Sequence, residues 1–125
     1  VSGGRVLVIE DDPKIAGLLQ QGLSLKGLEV TVAEDGAAGR VAWNSGAFDV
    51  VLLDVMLPEV DGLSLCAERR ATGDRTPVVL LSARDDDQTR ERAAACDVAD
   101  YVTKPFAYAD LIARVMLQLA PSDAS

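Results

Sequence analysis

The sequence predicts an α/β fold of (βα)5 type: one doubly wound sheet of five parallel strands, order 2-1-3-4-5, with helices on both faces. Three observations predict it. Short apolar runs alternate with helix-length segments, and that alternation calls for right-handed crossovers onto a parallel sheet. Several runs, RVLVI, VVLL and a second VVLL, are continuously apolar and rich in β-branched residues, the pattern of strands buried on both faces. Finally, acidic, hydroxyl and ammonium groups stand just beyond four of these runs, on the edge where open α/β sheets place their ligands.

The first run, Arg5 to Ile9, ends in Glu10-Asp11-Asp12. Asp12 is a favourable N-cap and Pro13 fits the first helical position, and Ile15, Leu18, Leu19, Gly22 and Leu25 then recur at helical spacing as far as Lys26-Gly27. Leu28 to Ala33 is a shorter alternating strand near an edge. Asp35-Gly36 opens a small, Ala-rich helix, Ala37 to Asn44, which Ser45-Gly46 ends. The third strand lies within Phe48 to Gly62, FDVVLLDVMLPEVDG: Val50 to Leu53 runs straight into Asp54, and Pro58 and Asp61-Gly62 turn the chain.

Leu63, Cys66 and Ala67 mark one face of the next helix, which Gly73-Asp74 breaks. Thr76-Pro77 introduces the strand Val78 to Leu81, ending at Ser82-Ala83. Asp85-Asp86-Asp87 then gives an acidic first turn to a helix reaching Cys96, where negative charge complements the free amide end. Its apolar face is only Ala93, Ala94 and Ala95 with Cys96, so this helix is expected to be loosely held. Asp100 to Thr103 is the last strand. Lys104-Pro105-Phe106 follows it, and then a final helix, Ala107 to Leu119, with Leu111, Ile112, Val115 and Leu119 facing inward.

At 125 residues, the chain is expected to form one domain over residues 1–120, with 121–125 a flexible polar tail. Beginning at Val1 rather than Met, it reads as a piece of something longer. No apolar stretch approaches the roughly 18 residues a membrane span needs, and no signal-peptide pattern opens the chain, so no membrane role and a cytoplasmic setting are expected. The net charge of −8, from 12 basic and 20 acidic residues, argues against nucleic-acid binding by this segment, which would require neutralising phosphates. Cys66 and Cys96 lack CxxC spacing and are expected to be reduced packing residues. The absence of His removes His-based acid–base chemistry and most zinc sites.

In the order 2-1-3-4-5 the switch point falls between strands 1 and 3, so Glu10, Asp11 and Asp54 converge there. Three clustered carboxylates repel unless protonated or joined by a cation, and an open, all-oxygen site is what Mg2+ favours. Ser82 adds a hydroxyl and Lys104 an ammonium, completing a phosphoryl site: a carboxylate nucleophile, a metal, a donor and a fixed positive charge. Each residue alone has a plainer role. Asp12 and Ser82 can cap helices, Asp54 can shape a turn, and Lys104 can be solvated. The convergence of four strand ends on one edge is what favours a site.

These blocks, VLVIEDDP, VVLLDVMLPEVDG, LLSA and DYVTKPF, occur in an order and spacing that resembles the receiver domain of bacterial two-component response regulators, from Arg5 to about Leu119. The fold implied is the CheY-like, flavodoxin-like one. The MLP after Asp54 and the stretch KPFAYADLIARV look like the OmpR/PhoB subfamily of winged-helix transcription regulators, which implies a DNA-binding domain downstream of this segment. The resemblance makes Asp54 the phosphoacceptor for a sensor histidine kinase. It makes Asp11 a direct Mg2+ ligand, Glu10 a ligand through water, and the Met56 backbone carbonyl a further ligand. Ser82 would bond a phosphate oxygen, Lys104 would pair with the phosphoryl group or with Asp54 before transfer, and the Lys104-Pro105 bond would be cis. Tyr101 matches the switch aromatic that turns inward as Ser82 moves toward the phosphate.

The subfamily also implies a homodimer on phosphorylation through the face of the fourth helix, last strand and last helix, with Arg90–Asp110 and Asp100–Arg114 pairs across subunits. Ala95 and Met116 stand where a third pair is usual, and Glu91 where an apolar residue is usual, so weaker dimerisation is expected. Asp97-Val98 replaces the usual Gly-Ala after the fourth helix, at a position that suits a left-handed residue. Three rival readings fare worse. A haloacid-dehalogenase-type phosphatase needs a second Asp where Met56 stands, a flavodoxin-like FMN site would set the phosphate against Glu10-Asp11-Asp12, and a receiver that signals without phosphorylation does not need the complete acidic, Ser and Lys set.

Overall fold

The computed structural model describes residues 4–119, so the expected tail lies outside the described residues. The elements alternate strictly: β1 (Arg5–Ile9), α1 (Pro13–Ser24), β2 (Glu29–Ala33), α2 (Gly36–Ser45), β3 (Val50–Asp54), α3 (Gly62–Ala71), β4 (Val78–Ser82), α4 (Asp87–Ala95), β5 (Asp100–Thr103) and α5 (Tyr108–Leu119). All pairings are parallel, in the order β2-β1-β3-β4-β5.

The apolar runs do what continuous hydrophobicity dictates: successive residues of β1, β3 and β4 bury into opposite faces of the sheet. Val6, Val8, Val50, Leu52, Val79 and Leu81 meet Leu19 and Leu23 of α1 and Leu111 and Val115 of α5. Leu7, Ile9, Val51, Leu53, Val78 and Leu80 meet Trp43, Leu63, Leu65 and Cys66 of the α2–α3 side, together with Ala93 of α4.

Capping follows the predicted chemistry. Asp12, Asp35, Asp61 and Asp86 each accept backbone N–H bonds at the starts of α1, α2, α3 and α4. Asp97 follows α4 with φ +54°, and the bonds from Asp97 N to the Ala94 carbonyl and from Val98 N to the Ala93 carbonyl complete a Schellman motif. The Arg70 guanidinium adds bonds to the carbonyls of Cys96 (2.8 Å) and Asp97 (3.3 Å).

The inward faces of three helices differ from the sequence reading. On α1 the buried residues are Ala16, Leu19 and Leu23, while Leu18 and Leu25 are exposed. Leu18 and Leu19 are adjacent on the helix, and packing selected the stripe through Leu19. On α3, Leu65 is buried and Ala67 is exposed. On α4, Thr89 and Ala93 face the core, Ala94 and Ala95 face solvent, and Cys96 is the cap rather than a helical residue. Both cysteines are buried and free.

Candidate functional site

Strand register assembles the site. Ile9 lies opposite Leu53, so Glu10, just past β1, comes beside Asp54, the last residue of β3. Ser82 pairs with Thr103 at the end of β4 and β5, so Lys104 emerges on the same edge, its backbone N–H held by the Ser82 carbonyl at 2.8 Å. Four strand ends thereby bring together residues up to 94 positions apart.

Asp54 is 3% exposed and Glu10 1%, whereas Asp11 opens to solvent. Carboxylate oxygens of the three lie within 4.8 Å of one another. Lys104 Nζ reaches between two of them, donating to Asp54 Oδ2 at 2.8 Å and to Glu10 Oε1 at 3.2 Å. The Met56 backbone N–H donates to Asp54 Oδ1 (3.0 Å) and the Asp12 N–H to Glu10 Oε2 (3.1 Å). Burial, and then the neighbouring Asp54 charge, push the Glu10 carboxyl up to about 7 against the pull of the Asp12 amide and Lys104. For Lys104, burial opposes the ammonium, but the bond and charge of Asp54, seconded by Glu10, hold it above its ordinary value. One ammonium for three carboxylates leaves negative charge uncompensated, and the donor set is all oxygen, which fits a hard divalent cation.

The loop after β3 folds tightly against this edge. Gly62 N–H bonds the Val55 carbonyl at 2.8 Å, and a Cβ at Gly62 would run into the Asp54 carbonyl. An isolated antiparallel bridge joins Met56 to Asp61. Glu59, between them, has φ +66°, a left-handed conformation that costs a side-chain-bearing residue. The bond from Lys104 to Pro105 is cis, as the resemblance implied.

Ser82 is fully buried, and its hydroxyl accepts from the Arg84 N–H at 2.9 Å. The Arg84 carbonyl in turn accepts from the Tyr101 hydroxyl, whose ring lies 4.4 Å from the Arg90 guanidinium carbon. Arg84 thus connects Ser82 to Tyr101 through its backbone. A backbone contact of this kind leaves no trace in side-chain type, so the sequence does not reveal it. Arg90 pairs with Asp85 rather than Asp110, and Arg114 holds both Asp100 (2.9 Å) and Asp110 (3.0 Å) within the chain.

The family described as response regulator receiver domain matches residues 6–116. The chain belongs to that family. YkoG of Bacillus subtilis, a transcriptional regulatory protein, is 41% identical over 116 residues, covering 93% of this chain and 51% of that protein. The response regulator protein TrrA of Thermotoga maritima, solved in complex with Mg2+ and beryllofluoride, is 31% identical with a TM-score of 0.81, covering 92% of this chain and 98% of that one. DrrB, a Thermotoga maritima OmpR/PhoB homologue, is 34% identical with a TM-score of 0.79, covering 89% of this chain and 50% of that one. This receiver therefore spans about half the length of curated relatives such as YkoG.

Proposed function

We propose that this receiver accepts a phosphoryl group on Asp54 from a sensor histidine kinase, in a Mg2+-dependent transfer that resets the α4–β5–α5 face. The observation that carries the reading is the buried Asp54 carboxylate held by Lys104 beside Glu10 and Asp11 at four converging strand ends. An Asp54 carboxylate oxygen attacks phosphorus, the bond from phosphorus to the donor imidazole nitrogen breaks, and that nitrogen keeps the electron pair. Glu10, Asp11, Asp54 and the Met56 carbonyl would hold Mg2+, which supplies charge neutralisation at the phosphoryl oxygens. Lys104 orients Asp54 beforehand and can follow the new phosphoryl oxygens afterwards. The chain is a phosphoacceptor rather than an enzyme acting on other substrates, and Met56 stands where a hydrolytic phosphatase would need an acid.

Phosphorylation adds about 1.5–2 negative charges and three acceptor oxygens. Ser82 can bond one of those oxygens if its hydroxyl turns from the Arg84 amide, and the Arg84 carbonyl links that movement to Tyr101. A homodimer through α4–β5–α5 would use Arg90, Asp100, Asp110 and Arg114. Each is satisfied inside its own chain, so dimerisation exchanges pairs rather than adding them, and this favours a weak dimer. The length of the relatives supports a receiver over residues 1–120 joined by a linker to a DNA-binding domain, in a cytoplasmic transcription regulator.

Intact mass after incubation with acetyl phosphate tests the reading. One phosphoryl adduct, lost in Asp54→Asn and on chelation of Mg2+, is expected. An adduct that survives either control would move the acceptor or the metal elsewhere.

A further inference from the structure

Outside the acidic, Ser and Lys groups of the strand ends, one ion pair ties α4 to the loop that follows Asp54. Arg92 reaches from α4 to Asp61 Oδ2 at 2.7 Å, the shortest side-chain link between α4 and that loop among the described residues. Asp61 has two other roles. Its Oδ1 caps α3 by accepting from Leu63 N–H at 2.9 Å, and its backbone bridges Met56, whose N–H is bonded to Asp54. The loop so anchored contains Glu59 in its left-handed conformation, a local cost that the surrounding contacts must hold in place. A cleft of about 260 Å³ lies between the two elements, with Thr89 and Arg92 on the α4 side and Val55, Leu57, Val60 and Asp61 on the loop side.

We infer that Arg92 is a positioning residue for the metal side of the site: through Asp61 it fixes the loop that presents the Met56 carbonyl, and so couples the placement of α4 to divalent-cation affinity. The inference rests on the assignment of Mg2+ above. It implies reciprocity: if the placement of α4 changes cation affinity, the cation biases α4 by the same factor.

Two effects of Arg92 oppose each other, and their signs separate them. As a charge alone, Arg92 repels a cation, so Arg92→Met would tighten binding while Asp61→Asn would weaken it, and the two would add. As a positioning pair, removal of either side frees the loop, so both variants bind more weakly and the double variant is no worse than either. Because both side chains are about 40% exposed, the expected weakening is about threefold, the middle of the range for such pairs.

The test is isothermal titration of Mg2+ into the chain without phosphodonor, for wild type, Arg92→Met, Asp61→Asn, the double variant and Arg92→Lys, with thermal unfolding run to show each is folded. Equal weakening in both single variants, no further loss in the double, and partial rescue by Arg92→Lys are expected. Effects of opposite sign that add, or no change, overturn the role of Arg92 while leaving the metal assignment standing. A wild-type chain that takes up no Mg2+ overturns both.

Discussion

On one face of the sheet, α1 and α5 bury Leu19, Leu23, Leu111 and Val115 against Val6, Val8, Leu52 and Val79, a contiguous apolar layer. On the other, α4 brings only Thr89, Ala93 and its capping Cys96 to the core and is tied down by arginines, Arg92 to Asp61 and Arg70 to the carbonyls of Cys96 and Asp97. Apolar burial scales with area and is lost whenever a helix moves. Half-exposed ion pairs are worth little individually and can be exchanged for others. The difference assigns mobility: α1 and α5 form the rigid wall, and α4, next to Ser82 and Tyr101, is the element whose position can change at small cost.

The largest effect expected is on the rigid wall. Leu111→Ala should lower unfolding free energy by about 2–5 kcal/mol in urea titration, whereas Ala93→Gly in α4 should lower it by only about 1 kcal/mol. Equal losses would erase the contrast between the faces.

The site between the faces gives the next effect. Glu10 titrates at about 7 in the folded chain against an ordinary 4.5, so between those values the folded state binds more protons than the unfolded one. Stability from this group is therefore present below about pH 4.5 and lost as pH rises through 7. Without metal, Glu10→Gln should match wild type at pH 4 and exceed it by about 2–3 kcal/mol at pH 8. Parallel pH profiles for the two proteins would show that Glu10 is not strained.

Arg70→Met sharpens the comparison at the end of α4. Loss of the bonds to Cys96 and Asp97 should cost about 1–2 kcal/mol and speed amide exchange in α4 selectively, with α1 unaffected. A uniform change across both faces would mean that Arg70 acts on the fold as a whole. The smallest effect is a gain. Asp97→Gly relieves a left-handed residue at φ +54° and should add about 0.5–1 kcal/mol, read as a small rise in the urea midpoint.

Strands were the most legible part of the sequence, because burial on both faces writes itself as an uninterrupted apolar run; β3, β4 and β5 lie within one residue of where the pattern put them. Helix faces were less legible. On α1, Leu18 and Leu19 both satisfy a helical repeat, and only contact with α5 and the sheet decides between them. The converging Glu10, Asp11, Asp54, Ser82 and Lys104 could be placed because topology alone sends strand ends to one edge. What escaped were contacts that depend on rotamer or backbone: the second bond of Lys104, to Glu10, the Arg84 backbone joining Ser82 to Tyr101, and the arginines that secure α4. Arginine on an exposed helix has no periodic signature, so its partner is known only once the chain is folded.

The order in which the site's parts occur along the chain has a consequence for its birth on the ribosome. Asp54 and Glu10 are made early, but the ammonium that balances them lies 50 residues after Asp54, on the far side of β4 and β5. At about 5–20 residues per second, that interval takes roughly 3–10 s, during which the nascent acidic edge has no partner of opposite charge from Lys104. On the proposed function, a nascent chain becomes a competent acceptor only once its last strand has joined the sheet and brought Lys104 to Asp54.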